Sequence, residues 1–192
     1  MKKYIIISGV PRAGKSTVSK LLAKQFGYQH LSMDSVLAGV ESVFPETGIR
    51  TDAETDEPEN IKKISGKLAP FIQKMIDSGE YDECDYGVVI DVYQLLPEDY
   101  VQHIDSSVCE IHYFLTSDVT PEERYEILKR YDSPADYTYY KSEAENRDAC
   151  REMVEISRII KEQCGRFHLP CYETAYNREK VIKDFLWKLK DV

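Results

Sequence analysis

Apolar and polar residues alternate along the chain in two different rhythms. The first run, Tyr4-Ile5-Ile6-Ile7-Ser8, is short, apolar and β-branched, which predicts a buried strand. Residues 17–26 then place Val18, Leu21, Leu22 and Phe26 on one side of a helix, with Gly27 as its stop. Residues 28–33 alternate weakly and predict a second strand ending at Asp34, with a short helix over about 35–44. Ile61, Ile64, Leu68, Phe71, Ile72, Met75 and Ile76 recur at helical spacing, and Pro70 is expected to kink or split that helix. Gly87 to Val92 reads as a buried strand carrying Asp91 near its end. Pro97 fits the first position of a short helix. Both alternating sets of residues 108–115 are mostly apolar, so this fourth strand is expected to be buried on both faces. Thr120-Pro121-Glu122-Glu123 opens the next helix as a capping box, and that helix runs to about Tyr131. A long amphipathic helix over 146–164 ends at Gly165, a brief strand covers 169–173, and Asn177 caps a last helix reaching about Lys190.

Between these elements lie three irregular stretches. Residues 45–60 are rich in Glu, Asp, Thr, Pro and Gly and read as a loop or mobile insertion. Residues 79–86 form a polar connection, and 132–145, aromatic and polar around Pro134, behave as a loop or lid. Five short strands alternating with helices, without repeats, predict a single α/β domain over 1–192 with a parallel sheet and helices on both faces. Ligands in such a sheet belong at the carboxyl ends of the strands.

Composition narrows the partners. With 25 Lys+Arg against 34 Asp+Glu, the net charge of −9 argues against a general nucleic-acid or anionic-membrane surface. Cys84, Cys109, Cys150, Cys164 and Cys171 are scattered, show no zinc spacing and form no even disulfide set. Cys109 and Cys171 lie in apolar runs and read as small core residues. The beginning of the chain does not resemble a signal peptide, and no apolar segment approaches the roughly 18–20 residues that span a bilayer. The expectation is a cytoplasmic, reduced protein.

The chemistry starts directly after the first strand. Gly9-Val10-Pro11-Arg12-Ala13-Gly14-Lys15-Ser16 fits G-x-x-x-x-G-K-[ST] at every specified position, between a predicted strand and a predicted helix. Backbone N–H groups of such a loop, with the positive end of the helix beginning at about Thr17, cradle a polyphosphate. In that role Lys15 reaches the terminal phosphates and the Ser16 hydroxyl ligates Mg²⁺. Asp91, closing Val88-Val89-Ile90, either helps hold the metal or caps the following turn. Asp34 either positions and deprotonates an acceptor hydroxyl or caps the helix after it. Arg124 and Arg130, about two turns apart and read as lying on roughly the same side, either serve a phosphate or base or pair with Glu122, Glu123 and Glu126. Arg147 is a weaker candidate of the same kind, and Arg12 either meets phosphate or acceptor or faces water. Arg50, Lys62, Lys63 and Lys67 flank the acidic insertion, where a solvated helix face competes with an acceptor clamp. Tyr131, Tyr137, Tyr139 and Tyr140 read as the lid's own packing cluster rather than a cover for a substrate ring. His30, His103, His112 and His168 show no metal spacing and read as structural or exposed.

With these residues in place, the chain resembles the small P-loop kinases of the adenylate kinase, shikimate kinase and gluconate kinase group. The resemblance rests on the Gly9–Ser16 loop, Asp34 after strand two, the Thr120-Pro121-Glu122-Glu123-Arg124 helix start before a lid, and the terminal strand and helix. It implies a three-layer fold with a five-stranded parallel sheet in the order 2-3-1-4-5. It also implies an acceptor segment over about 35–78 and a lid over about 131–147. The cofactors it implies are ATP and Mg²⁺, the partner a small-molecule acceptor, and the reaction transfer of the γ-phosphate. Lys15, Asp34, Arg124 and Arg130 would then be catalytic, with Ser16 and Asp91 at the metal. The ATP-binding set would be the loop from Gly9 to Thr17 with Arg124, Ala175 and Tyr176. Two departures stand out: Arg12 occupies a position often held by a small residue, and no paired D-x-D follows strand two. A nucleoside or nucleotide kinase, or a P-loop regulatory module without kinase activity, are the alternative readings.

Overall fold

A computed structural model describes residues 2–50, 58–83 and 85–190. Five strands, β1 (Tyr4–Gly9), β2 (Gln29–Ser32), β3 (Val88–Asp91), β4 (Cys109–Leu115) and β5 (Cys171–Glu173), form one sheet in the order β2-β3-β1-β4-β5. Every pairing is parallel. The helices are α1 (Lys15–Phe26), α2 (Met33–Val43), α3 (Pro58–Asp77), α4 (Pro97–His103), α5 (Pro121–Tyr131), α6 (Glu143–Phe167) and α7 (Arg178–Lys190). This is the three-layer arrangement expected of a chain in which strands and helices alternate.

Central position explains the composition of β1. It is paired on both edges and covered on both faces, so Tyr4 to Gly9 are all buried and a continuous isoleucine run is tolerated. Pleating divides the neighbours of β4 between the two layers. His112 and Phe114 meet Phe185 of α7 edge-on, at ring separations of 4.9 and 5.4 Å. Tyr113, one residue between them, faces Tyr100 of α4 and Cys164 of α6. Burial lowers the His112 pKa to about 4, so this imidazole packs in the core as a neutral ring.

Several expected boundaries move. β2 ends at Ser32 and α2 begins at Met33, which puts Asp34 in the first helical turn rather than at a strand end. α3 starts at Pro58 and continues through Pro70 without a break. Its buried stripe from Ile61 to Ile76 outweighs the one backbone bond the proline removes. Residues 45–47 form a 3₁₀ turn, and the acidic stretch 51–57 lies outside the described residues. α6 starts earlier than expected, because Ser142 and Glu145 make a reciprocal capping box. It also passes Gly165 and stops at His168, which adopts left-handed φ 54°. Cys109 is buried as expected, but Cys171 is exposed, because β5 is a three-residue edge strand. Cys84 lies outside the described residues. Among the described residues, no helix is long and apolar enough to cross a membrane.

Candidate active site

At the carboxyl end of β1 the loop is fitted between β4 and α7. Gly9 has φ 121°, and a Cβ there would lie 2.0 Å from the carbonyl oxygen of Phe114. That same carbonyl accepts the Val10 N–H at 3.2 Å. Gly14 has φ 101°, and a Cβ there would meet Arg178 Cδ and Ile182 Cδ1, both at 3.1 Å. Both glycines are thus required by φ and by close approach together. Ser16 and Thr17 are exposed in the first turn of α1, where backbone N–H groups have no partner within the helix. Lys15 is buried; its Nζ donates to the Val10 carbonyl at 3.0 Å and lies 5.4 Å from the Tyr93 ring.

Two carboxylates lie at the carboxyl ends of β2 and β3, and one of them, Asp34, feels the Lys15 charge. Asp91 ends β3, is buried, and has His30 Nε2 at 3.6 Å from its Oδ2. Asp34 retains an open surface, yet protein crowding raises its pKa, with the nearby Asp91 charge adding to the rise and Lys15 opposing it. These mutual effects place Lys15, Asp34 and Asp91 in one electrostatic neighbourhood. Ser32 is the residue at the N-cap of α2, and it makes no side-chain cap bond, so Asp34 is not the helix cap. No group of three or more His, Cys, Asp or Glu among the described residues is placed to hold a metal ion. A Mg²⁺ bound through Ser16 and Asp91 would draw its remaining ligands from phosphate and water, as that cation commonly does.

On the other side, between α5 and the start of α7, lies a cleft of about 320 Å³. Arg12, Arg124 and Arg178 line it together with Tyr131, Ala175 and Tyr176. Arg124 is only 3% exposed. One of its terminal nitrogens donates to the Pro11 carbonyl at 3.3 Å and touches Met153 Sδ at 4.0 Å, while its Nε has no partner. Burial lowers its pKa, and Arg12 and Arg178 add like-charge repulsion. Arg178 has its guanidinium 5.9 Å from the Tyr131 ring. Sequence reasoning missed Arg178, because a basic residue at a helix start carries no local signal; only the return of α7 beside Gly14 makes it part of the site. Glu173 anchors the wall: its carboxylate accepts from the N–H groups of Ser117, Asp118 and Ala175 at 2.8, 3.1 and 3.0 Å.

Arg130 does not join this group. Six residues turn a helix by about 240°, so it cannot share a side with Arg124. Arg130 is exposed and lies outside the cleft wall. Two of the three expected glutamate partners are engaged elsewhere: Glu123 closes the Thr120 capping box, and Glu122 pairs with Arg147, as does Glu143. Arg12 lines the cleft and also pairs with Asp132 and Asp136 of the stretch read as the lid. Of the tyrosines, Tyr139 and Tyr140 pack edge-on at 5.4 Å, whereas Tyr131 belongs to the cleft wall. Around the acidic insertion, Lys62 and Lys63 face solvent, Lys67 donates to the Thr47 carbonyl at 2.6 Å, and Arg50 sits 4.0 Å from Glu41.

No protein-family model matches the chain. A stretch of 59 residues, 31% of this chain, is 36% identical to the cytidylate kinase of Thermotoga maritima and spans 27% of that enzyme's length. The shikimate kinase of Acinetobacter baumannii, solved in complex with shikimate, superposes with a TM-score of 0.57 at 16% identity, covering 98% of this chain and 93% of that one. The shikimate kinase of Bacteroides thetaiotaomicron gives 0.56 at 15% identity, with 98% of each chain covered. A gluconokinase of Sinorhizobium meliloti gives 0.53 at 15% identity, over 98% of this chain and 91% of that one. Sheet order, loop position and these likenesses agree, and the chain has the fold of the small P-loop kinases.

Proposed function

We propose that this protein is a small-molecule kinase that moves the γ-phosphate of ATP, bound with Mg²⁺, onto a hydroxyl group of a small acceptor. The observation that carries this reading is Arg124. A guanidinium buried without a carboxylate partner costs several kcal/mol. Arg124 is buried in that way against the backbone of the phosphate loop itself. A polyphosphate in the 320 Å³ cleft supplies the missing negative charge.

Roles follow from position. The N–H groups from Gly9 to Thr17 hold phosphate oxygens, and Lys15 leaves the Val10 carbonyl to neutralise charge on the group being transferred. Arg124 and Arg178 hold the donor from the α5 and α7 sides, with Ala175 and Tyr176 as the wall beside the base. Ser16 and Asp91 hold Mg²⁺, which when bound screens the phosphate charge. Asp34 orients the acceptor hydroxyl and takes its proton, a task that its raised pKa suits. Asp34 makes the acceptor side anionic, and Arg50 is the one arginine between Lys15 and Arg124. That balance favours a hydroxyl-bearing acceptor over one already phosphorylated.

The cytidylate kinase match is the observation that favours a second reading, a nucleoside monophosphate acceptor. Turnover of Mg·ATP against a panel of polyols, hydroxy acids and nucleoside monophosphates separates the two readings. Lys15→Ala should lower turnover on the accepted compound by about 1000-fold. Undiminished turnover in that variant would remove the kinase reading.

A further inference from the structure

Arg12 occupies an unusual position for its residue type. It sits inside the phosphate loop with φ 62°, in the left-handed region that costs a non-glycine residue about 1–2 kcal/mol. Its side chain, only partly exposed at the cleft, turns toward residues 131–136. One terminal nitrogen donates to Asp136, and the other lies 3.4 Å from both Asp132 Oδ1 and the Tyr131 carbonyl. All three acceptors belong to the lid or the residue that leads into it.

The two carboxylates are themselves held in place. Asp136 Oδ2 accepts from the Ser133 N–H at 3.0 Å and the Ser133 hydroxyl at 2.7 Å. Asp132 Oδ1 accepts from the Thr138 hydroxyl at 2.6 Å, and the Thr138 carbonyl accepts from Asn146 Nδ2 at 2.9 Å. The lid thus presents a fixed pair of negative groups to a cation of the phosphate loop, beside two further arginines that have no carboxylate of their own among the described residues. Such an arrangement reproduces, with protein carboxylates, the charge that a nucleotide phosphate brings to the same loop.

We propose that Asp132 and Asp136 are positioning residues that compete with nucleotide phosphate for Arg12, holding the lid against the phosphate loop until a nucleotide takes the arginine over. The inference rests on the proposed reading of this cleft as a nucleotide site. It makes Arg12 a partner-switching residue: bound to the lid in the empty protein, available to phosphate when the nucleotide arrives. Backbone strain at Arg12 is then the cost of aiming the same side chain at either partner.

The test is titration calorimetry of the full chain with Mg·ADP and with a non-hydrolysable Mg·ATP analogue, comparing wild type with the Asp132→Asn/Asp136→Asn double variant. Asparagine keeps an oxygen for Ser133 and Thr138 while removing the charge. Competition predicts that the double variant binds the nucleotide about five- to tenfold more tightly. It also predicts faster trypsin cleavage at Lys141 in the nucleotide-free variant. A merely structural role predicts the opposite sign for binding, because a loosened lid holds the nucleotide less well. Unchanged or weaker binding by the variant, with binding by wild type intact, overturns the competition and leaves the nucleotide site standing. No nucleotide binding by wild type overturns both. Near-UV circular dichroism checks that the variant is folded, and Asp136→Asn alone replaces the double variant if it is not.

Discussion

Around Lys15 the chain presents guanidinium groups on one side, from Arg12, Arg124 and Arg178, and carboxylates on the other, from Asp34 and Asp91. The two sides differ in construction as well as in sign. The cationic side is set by backbone: two positive-φ glycines, the exposed first turn of α1, and an arginine buried against a loop carbonyl. The anionic side depends on an exposed aspartate in the first turn of a helix and on a buried one at the end of β3. A polyphosphate is chemically uniform and suits a rigid receiver. An acceptor is recognised by individual side chains, and those are the ones free to differ between proteins of the same fold.

Removing a charge from each side in turn sharpens the contrast. Among the substitutions flanking Lys15, the largest effect is expected at Asp34→Asn, with turnover falling about 100-fold while nucleotide affinity stays unchanged, as its proposed acceptor role requires. In wild type the acid limb of turnover against pH should lie above the ordinary carboxylate range, because crowding and Asp91 raise the Asp34 pKa. The proton acceptor is lost as pH falls through that raised value. A nucleotide affinity that drops together with turnover would erase the division between the two sides. Arg124→Met should weaken nucleotide binding by about tenfold and, in the same variant, raise the stability of the nucleotide-free protein by about 1 kcal/mol, because a buried cation without a carboxylate is replaced by an apolar chain. Calorimetric binding and urea denaturation read both numbers, and a destabilised variant would show that Arg124 is structural rather than held for a ligand. The smallest effect belongs to Arg130→Ala, within about twofold of wild type in turnover and affinity, as expected of an exposed residue outside the cleft. A loss of tenfold or more there would restore Arg130 to the site.

These differences also mark what the amino-acid sequence makes legible. Gly9, Gly14, Lys15 and Ser16 are recognisable because their chemistry is local: spacing alone brings them to one loop. Thr120 and Glu123 announce the start of α5 for the same reason, and Ser142 with Glu145 carried an equally local signal for α6. The placement of Arg178 is not local, since it depends on β5 and α7 folding back beside Gly14. Arg124 and Arg130 look alike in sequence, and the helical angle between them decides that only Arg124 is buried. The positive φ of Arg12 is silent in sequence, because the motif accepts any residue there. The engagement of Arg12 by Asp132 and Asp136 depends on a lid that sequence shows only as an aromatic, polar interruption.

Mechanically, Gly9 turns the phosphate loop into a stationary datum. Its Cα rests so close to the Phe114 carbonyl that even a methyl group would act as a shim, lifting the loop off β4. In the proposed reaction, whatever travel brings donor and acceptor into line is left to parts that are not seated on the sheet, such as residues 132–142.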